Sequence, residues 1–371
     1  MNTITPRPGV MDITPYVGGG AAIGGPGGVI KLASNEGALG PSPKAMDAYR
    51  SAAQSLHRYP DGGCLELRRG LAEKYGMDME RIVCGAGSDE LIGLLARAYS
   101  GPGDEVLYSE HGFLMYPIAA RTAGAKPVTA PEKDLTADVD ALLGAVTERT
   151  SIVFLANPNN PTGTYLSRAE MKRLRGGLPQ GVLLVIDAAY AEFAEVDDYG
   201  PGTAMVEAGA NVVMMRTFSK IYGLGGARLG WAYCPGAVAD VLNRVRNPFN
   251  VAAPAQAAGL AALADQAFTE KARRHNLTWR RWTADRLEEM GLETVPSIAN
   301  FLLVRFPQGK AGDNRELSAQ AADGFLKSQG LIVRRMESYG LPEFLRVTIG
   351  REDEMKAFAD ALSRFMEGEG Q

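Results

Sequence analysis

From about Ala45 onward the chain alternates stretches of helical period with short apolar runs. KAMDAYRSAAQSL is amphipathic at helical spacing, and CLELRRGLAEKYG is a second helix with Gly76 as its stop signal. IVCGAG reads as a buried strand running into a glycine turn. EVLYSE, KPVTA, SIVFLANP, GVLLVIDAAY and NVVMMRTFS are further β-rich runs, separated by helical stretches such as SRAEMKRLRGGL. Repeated strand–helix units whose strands are apolar throughout predict an α/β fold, a mostly parallel sheet with helices on both faces. After Pro254 a long helical tract, AQAAGLAALAD through TADRLEEMG, leads to a different order: NFLLVRF, a helix, LIVRRM, FLRVTIG and a closing helix. That order predicts a smaller α+β domain. The start of the chain, with prolines at 6, 8, 15, 26, 41 and 43 and a glycine cluster from Gly18 to Gly28, predicts an irregular arm that something else must hold. The expected organisation is an arm over 1–45 that joins the small domain, a large domain over 46–254, connecting helices over 255–290 and a small domain over 291–371.

Composition narrows the function. A chain of 371 residues, 46% of them hydrophobic, can bury a large core. Its 39 basic and 43 acidic residues give a net charge of -4 with no basic block to follow a phosphate backbone, so nucleic acid is not expected as a partner. The three cysteines, Cys64, Cys84 and Cys234, form no CxxC pair, which argues against a disulfide framework and a thiolate metal site and for a reducing cytoplasm. MNTITPRPGVMDITPYVGGG lacks the apolar core of a signal peptide, and no later run is apolar enough to span a membrane. The 44 glycines exceed the usual share of about 7%. That excess predicts tight turns and close backbone approaches to a ligand.

Open α/β sheets bind ligands beyond the carboxyl ends of their strands, and four positions there carry chemistry. Gly85-Ala86-Gly87-Ser88-Asp89-Glu90 turns from strand to helix and offers free backbone N–H groups at a positive dipole end, a cradle for phosphate. Asn160 lies in the rigid turn ANPNNPTG. Asp187 ends the apolar strand VLLVI, where an unpaired carboxylate is costly, so something cationic should face it, and Tyr190 follows three residues on. Lys220, in RTFSKIYGLGGARLGW, has Thr217 and Ser219 before it and Arg228 after a glycine-rich bend. Those neighbours suit an amine that must lose its proton beside a bound phosphate.

With these motifs the sequence resembles the fold-type-I, class II-like aminotransferases, and most closely the histidinol-phosphate aminotransferase family. The resemblance runs through DITPYVGG, KLASNE, LHRYPDGG, GAGSDE, NPNNPTG, TFSKIYGLGGARLGW and YGLPEFLRVTIG. Two positions depart from the family pattern: Asn35-Glu36-Gly37-Ala38 stands where NENP is usual, and Asp187-Ala188-Ala189-Tyr190 where DEAY is usual. The resemblance implies pyridoxal 5'-phosphate as cofactor, attached to Lys220, which also moves the substrate Cα proton. It implies Asp187 at the ring nitrogen, Asn160 and Tyr190 at the ring hydroxyl oxygen, and Phe113 stacked on the ring. For the cofactor phosphate it implies the N–H groups of Ser88 and Asp89 with Thr217, Ser219 and Arg228, and Tyr59 from a neighbouring subunit, hence a homodimer with shared sites. On the substrate side it implies Arg346 as a carboxylate fork, Arg334 or its neighbour Arg335 with Tyr16 at a distal phosphate, and Asn35.

The reaction so implied is transfer of an amino group between L-histidinol phosphate and 2-oxoglutarate in histidine biosynthesis. Because histidinol phosphate has no α-carboxylate, Arg346 would serve glutamate. An aromatic amino acid aminotransferase and a threonine-phosphate decarboxylase remain open as alternatives. A ligand-sensing domain of a transcription regulator is disfavoured, because the short arm leaves no room for a DNA-binding segment.

Overall fold

The structure is a computed structural model that describes residues 4–20, 28–209, 211–307 and 316–368; residues 21–27 of the glycine cluster lie outside it. Its main sheet has seven strands in the order Ile82–Gly85, Gly230–Tyr233, Val212–Thr217, Leu183–Asp187, Thr150–Ala156, Glu105–Ser109, Lys126–Ala130. Its pairings are parallel except the two made by Gly230–Tyr233, which runs against both neighbours. GWAY is too short and too close to the glycine bend to announce itself as a strand.

The central strands are apolar at successive positions because both faces are covered. Leu184, Ile186, Val212 and Met214 enter one core, while Val185, Val213 and Met215 enter the other. Each fully buried aliphatic side chain stabilises the fold by roughly 1.5–3 kcal/mol. This two-sided burial fixes the register, and the register brings Asp187 beside Met215 at the carboxyl ends.

Local signals set the flanking helices. Asp61 accepts from the N–H groups of Gly63 at 2.9 Å and Leu65 at 2.6 Å, starting Leu65–Tyr75, and Gly76 at φ 64° ends it. The tract after Pro254 is two helices, Ala253–Ala264 and Gln266–Glu289, separated at Asp265, whose ψ of 66° is not helical.

A second, antiparallel sheet has the order Glu293–Val295, Phe301–Arg305, Phe344–Thr348, Arg334–Arg335. The closing helix Glu352–Glu367 buries Met355, Phe358, Leu362 and Phe365, one stripe at helical spacing, with Leu302, Val304 and Val347 in the same core. LIVRRM does not form one strand. Leu331–Ile332 pairs in parallel with Ile30–Lys31 of the arm, and Arg334–Arg335 pairs with Phe344–Thr348. The arm then reaches the main sheet: the Asn35 N–H donates to Thr348 Oγ1 at 2.9 Å, and Asn35 Nδ2 donates to Tyr190 Oη at 2.9 Å. Among the described residues, no helix is long and apolar enough to cross a membrane.

Candidate active site

The carboxyl ends of the parallel strands, the arm and Arg346 of the second sheet enclose a cavity of about 310 Å³. One end is built of backbone. No side chain caps the helix Ser88–Tyr99, so the N–H groups of its first turn are left to face a ligand. Two glycines make that approach possible. A Cβ on Gly87, at φ 88°, would lie 2.6 Å from Arg228 Nη2, and one on Gly230 would lie 2.4 Å from the Ser88 nitrogen. Glu90 Oε2 takes the Ala86 N–H at 2.6 Å and closes the loop behind the cradle. Thr217 Oγ1 donates to Ser219 Oγ at 2.9 Å, and Arg228 bridges to Asp89 Oδ2 at 3.0 Å, so the expected phosphate residues converge here with Thr217 buried and Arg228 half exposed.

Asp187 lies further along the cavity. Its Oδ2 accepts from the Tyr116 hydroxyl at 3.0 Å, while Oδ1 is buried with no hydrogen-bond partner, open to the cationic group that the sequence predicts should face this carboxylate. Burial raises the Asp187 pKa to about 6, against the lowering effect of the Tyr116 hydrogen bond. Tyr116 is itself fixed by stacking on Phe154, with centroids 4.8 Å apart. It was missed because a tyrosine one helical turn after Phe113 looks like any core aromatic.

Lys220 Nζ donates to the Ser34 carbonyl at 3.3 Å and lies 5.6 Å from the Tyr190 ring centre. Burial, then the positive charge of Arg346, lowers its pKa to about 8. Tyr190 is buried, and that burial holds its phenol well above the ordinary range, as a neutral hydroxyl. Phe113 lines the cavity and meets Tyr116 edge-on at 5.9 Å and Tyr16 edge-on at 6.4 Å.

On the opposite wall Arg346 is buried; its Nη1 donates to Asn160 Oδ1 and its Nη2 to the Ala33 carbonyl at 3.0 Å, while Nε is buried without a partner. Asn160 therefore keeps its amide N–H groups for a ligand. Arg334 stands opposite Arg346 in the strand register, which puts both side chains on one face of the second sheet, and its Nη2 donates to the Val17 carbonyl at 2.7 Å. Arg335 is on the other face, paired with Glu337. Tyr16 is at the rim. Tyr59 does not line this cavity; it is 83% exposed and stacked on Phe249 at 4.7 Å.

A doubly wound sheet with a lysine, a buried carboxylate and an anion cradle at its carboxyl edge defines the class: a fold-type-I, pyridoxal-phosphate-dependent transferase. Residues 27–362 match the family described as aminotransferase class I and II. The chain is 62% identical over 366 residues to the histidinol-phosphate aminotransferase of Paramagnetospirillum magneticum, covering 99% of each, and 56% identical over 365 residues to that of Rhodospirillum rubrum, covering 98% of each. The solved histidinol-phosphate aminotransferase of Sinorhizobium meliloti, in complex with pyridoxal-5'-phosphate, superposes with a TM-score of 0.86 at 29% identity, covering 98% of both chains. The chain belongs to the aminotransferase class I and II family, in its histidinol-phosphate aminotransferase branch.

The cofactor, pyridoxal 5'-phosphate, fits the cavity on three structural grounds. The uncapped helix end and the two indispensable glycines suit its phosphate. The unpartnered Asp187 Oδ1 suits a protonated ring nitrogen, and an amine with a pKa near 8 suits covalent attachment.

Proposed function

We propose that the enzyme transfers an amino group between L-histidinol phosphate and 2-oxoglutarate, giving imidazole acetol phosphate and L-glutamate for histidine biosynthesis. The observation that carries the substrate assignment is the register of Arg334 opposite Arg346, which puts two guanidinium groups on one face of the second sheet, Arg346 in the cavity wall and Arg334 in an adjoining pocket that shares Tyr16 and Gly18 with it. One fork suits a carboxylate of glutamate or 2-oxoglutarate, and the other a distal phosphate. Aromatic amino acids need only one of them.

When bound, pyridoxal 5'-phosphate supplies the electron sink that makes the substrate Cα–H acidic. Ser88, Asp89, Thr217, Ser219 and Arg228, which line the cavity, would hold its phosphate, Asn160 and Tyr190 its ring oxygen, and Phe113 would pack on its ring. The Lys220 amine, neutral in an appreciable fraction near pH 7 with a pKa of about 8, would move the proton between the substrate Cα and C4′ of the cofactor. Asp187 keeps a negative charge at the ring nitrogen, fixed by Tyr116. Asn35 holds the Tyr190 hydroxyl in place.

The working unit is proposed to be a cytoplasmic homodimer in which Tyr59 serves the partner's phosphate. Its support is the pair of exposed aromatics Tyr59 and Phe249, stacked on each other, together with Tyr59's position away from its own cavity. The arm over 1–45, the large unit over 46–254, the helices over 255–290 and the small unit over 291–371 are our division of the chain, supported by the two separate sheets. Purified enzyme offered histidinol phosphate, phenylalanine, tyrosine and threonine phosphate, each with 2-oxoglutarate, tests the substrate. The highest kcat/KM is expected for histidinol phosphate. Preference for phenylalanine or tyrosine, or carbon dioxide released from threonine phosphate, would overturn the assignment.

A further inference from the structure

Phe249 has φ 56°, in the left-handed region that a bulky side chain seldom adopts, and it is 45% exposed. Burial within its own chain does not account for that strain. What the conformation achieves is a flat contact: the Phe249 ring lies on Tyr59 with centroids 4.7 Å apart and planes 20° apart.

Both ends of the contact are anchored. Beside Phe249, Asn250 Nδ2 donates to Glu90 Oε2 at 2.7 Å, and the same oxygen accepts the Ala86 N–H of the phosphate loop at 2.6 Å. Arg246 Nη1 donates to Asn250 Oδ1 at 3.0 Å. On the Tyr59 side, Gln256 Nε2 donates to the Asp61 carbonyl at 2.9 Å and to the Val251 carbonyl at 3.0 Å, tying the tyrosine turn to the segment that carries Phe249. An exposed tyrosine is thus braced by a strained aromatic whose neighbour is bonded to the phosphate loop of its own subunit.

We propose that Phe249 is a positioning residue that acts through Tyr59, restricting its side chain so that the hydroxyl is presented to the cofactor phosphate of the partner subunit. This rests on the shared-site reading above. Stacking of this kind is worth about 0.5–1.5 kcal/mol beyond area burial, roughly 2- to 12-fold in a dissociation constant.

The test is titration of the apo dimer with pyridoxal 5'-phosphate, followed by absorption, at protein concentrations where sedimentation shows a dimer. Phe249→Gly and Phe249→Leu are each expected to raise the dissociation constant about 2- to 12-fold, and Phe249→Tyr to stay near the wild-type value. In a Tyr59→Phe background, Phe249→Gly should add little. Melting of the apo Phe249→Gly protein should be unchanged or higher, because glycine relaxes the strained backbone. Wild-type affinity in Phe249→Leu, or full additivity with Tyr59→Phe, would overturn the proposal. If Tyr59→Phe weakens retention while Phe249→Gly does not, this inference fails alone; if Tyr59→Phe changes nothing, the shared-site reading fails and takes the inference with it.

Discussion

The Tyr116 hydroxyl donates to Asp187 Oδ2 at 3.0 Å, leaving Oδ1 buried in the cavity wall with no hydrogen-bond partner. The pair thus separates a structural half of the carboxylate from a functional half. Removing the donor in Tyr116→Phe should raise the Asp187 pKa further, because that hydrogen bond now lowers it. Hydrogen bonds to charged groups are worth about 1.5–3 kcal/mol, so kcat should fall roughly 10- to 100-fold while cofactor still binds. The acid limb of the pH–rate profile should move to higher pH; an unmoved limb would remove Tyr116 from the mechanism.

Asp187→Asn separates function from stability. The folded-state pKa of about 6 lies above the ordinary 3.8, so this group's contribution is fully present below pH 3.8 and lost as pH rises through 6. At pH 7.5 the apo enzyme therefore carries a buried carboxylate at a cost of up to about 3 kcal/mol, taking 1.36 kcal/mol per unit. Apo Asp187→Asn should melt above apo wild type at pH 7.5, with the gap closing toward pH 4. Transamination should nonetheless collapse, because the negative charge at the ring nitrogen is gone. Proton-abstraction kinetics unchanged from wild type would rule out the role.

Lys220 titrates in the opposite sense. Its pKa is depressed from 10.5 to about 8, so its contribution is fully present above 10.5 and lost as pH falls through 8. Replacing it with methionine, of similar length and no charge, should raise the apo melting temperature at pH 7, with the gain shrinking between pH 8 and 10.5. Multiple-turnover transamination should be abolished. A variant that kept near-wild-type turnover would show that another group carries the cofactor.

Much of this site was legible in the sequence because its residues sit just past apolar strands, where burial and charge conflict openly. Asp187, Lys220 and the Gly85–Ser88 turn are of that kind. Tyr116 and Phe249 were not, since each matters through contacts with distant segments: Phe154 and Asp187 for Tyr116, Tyr59 for Phe249. The split of LIVRRM was hidden for a related reason. An apolar run does not say which neighbours its two halves will find, and here they are the arm and Phe344–Thr348. That same pairing separates Arg334 from Arg335, which the sequence left equivalent.

Arg334→Gln should therefore raise KM for histidinol phosphate roughly 10- to 100-fold, as loss of a charge-assisted fork implies, with a much smaller effect on 2-oxoglutarate. Arg335→Gln should change KM for neither substrate appreciably, because its guanidinium is committed to Glu337 on the other face. Steady-state kinetics with both substrates decide the matter. Equal effects of the two variants would mean that the strand register does not set substrate contact.

Subunit complementation tests whether a whole site can be assembled from two chains. Tyr59 is 83% exposed and absent from the walls of its own cavity, whereas Lys220 lines that cavity, so the two residues are proposed to meet only across a dimer. A phenol is a neutral donor and can add a hydrogen bond to a phosphate without disturbing the charge balance set by Arg228. Tyr59→Ala and Lys220→Ala should each be largely inactive as homodimers under limiting cofactor. Mixed and allowed to exchange, they form hybrids in which one site has neither residue and the other has both. Random pairing puts half of the dimers in the hybrid class, so recovered activity should approach a quarter of the wild-type value per subunit, against near zero for either parent. Exchange is followed independently with a size or charge tag on one parent. If tagged hybrids form and activity stays at the parental level, Tyr59 serves its own chain or no chain, and the shared site is wrong while Lys220 keeps its role.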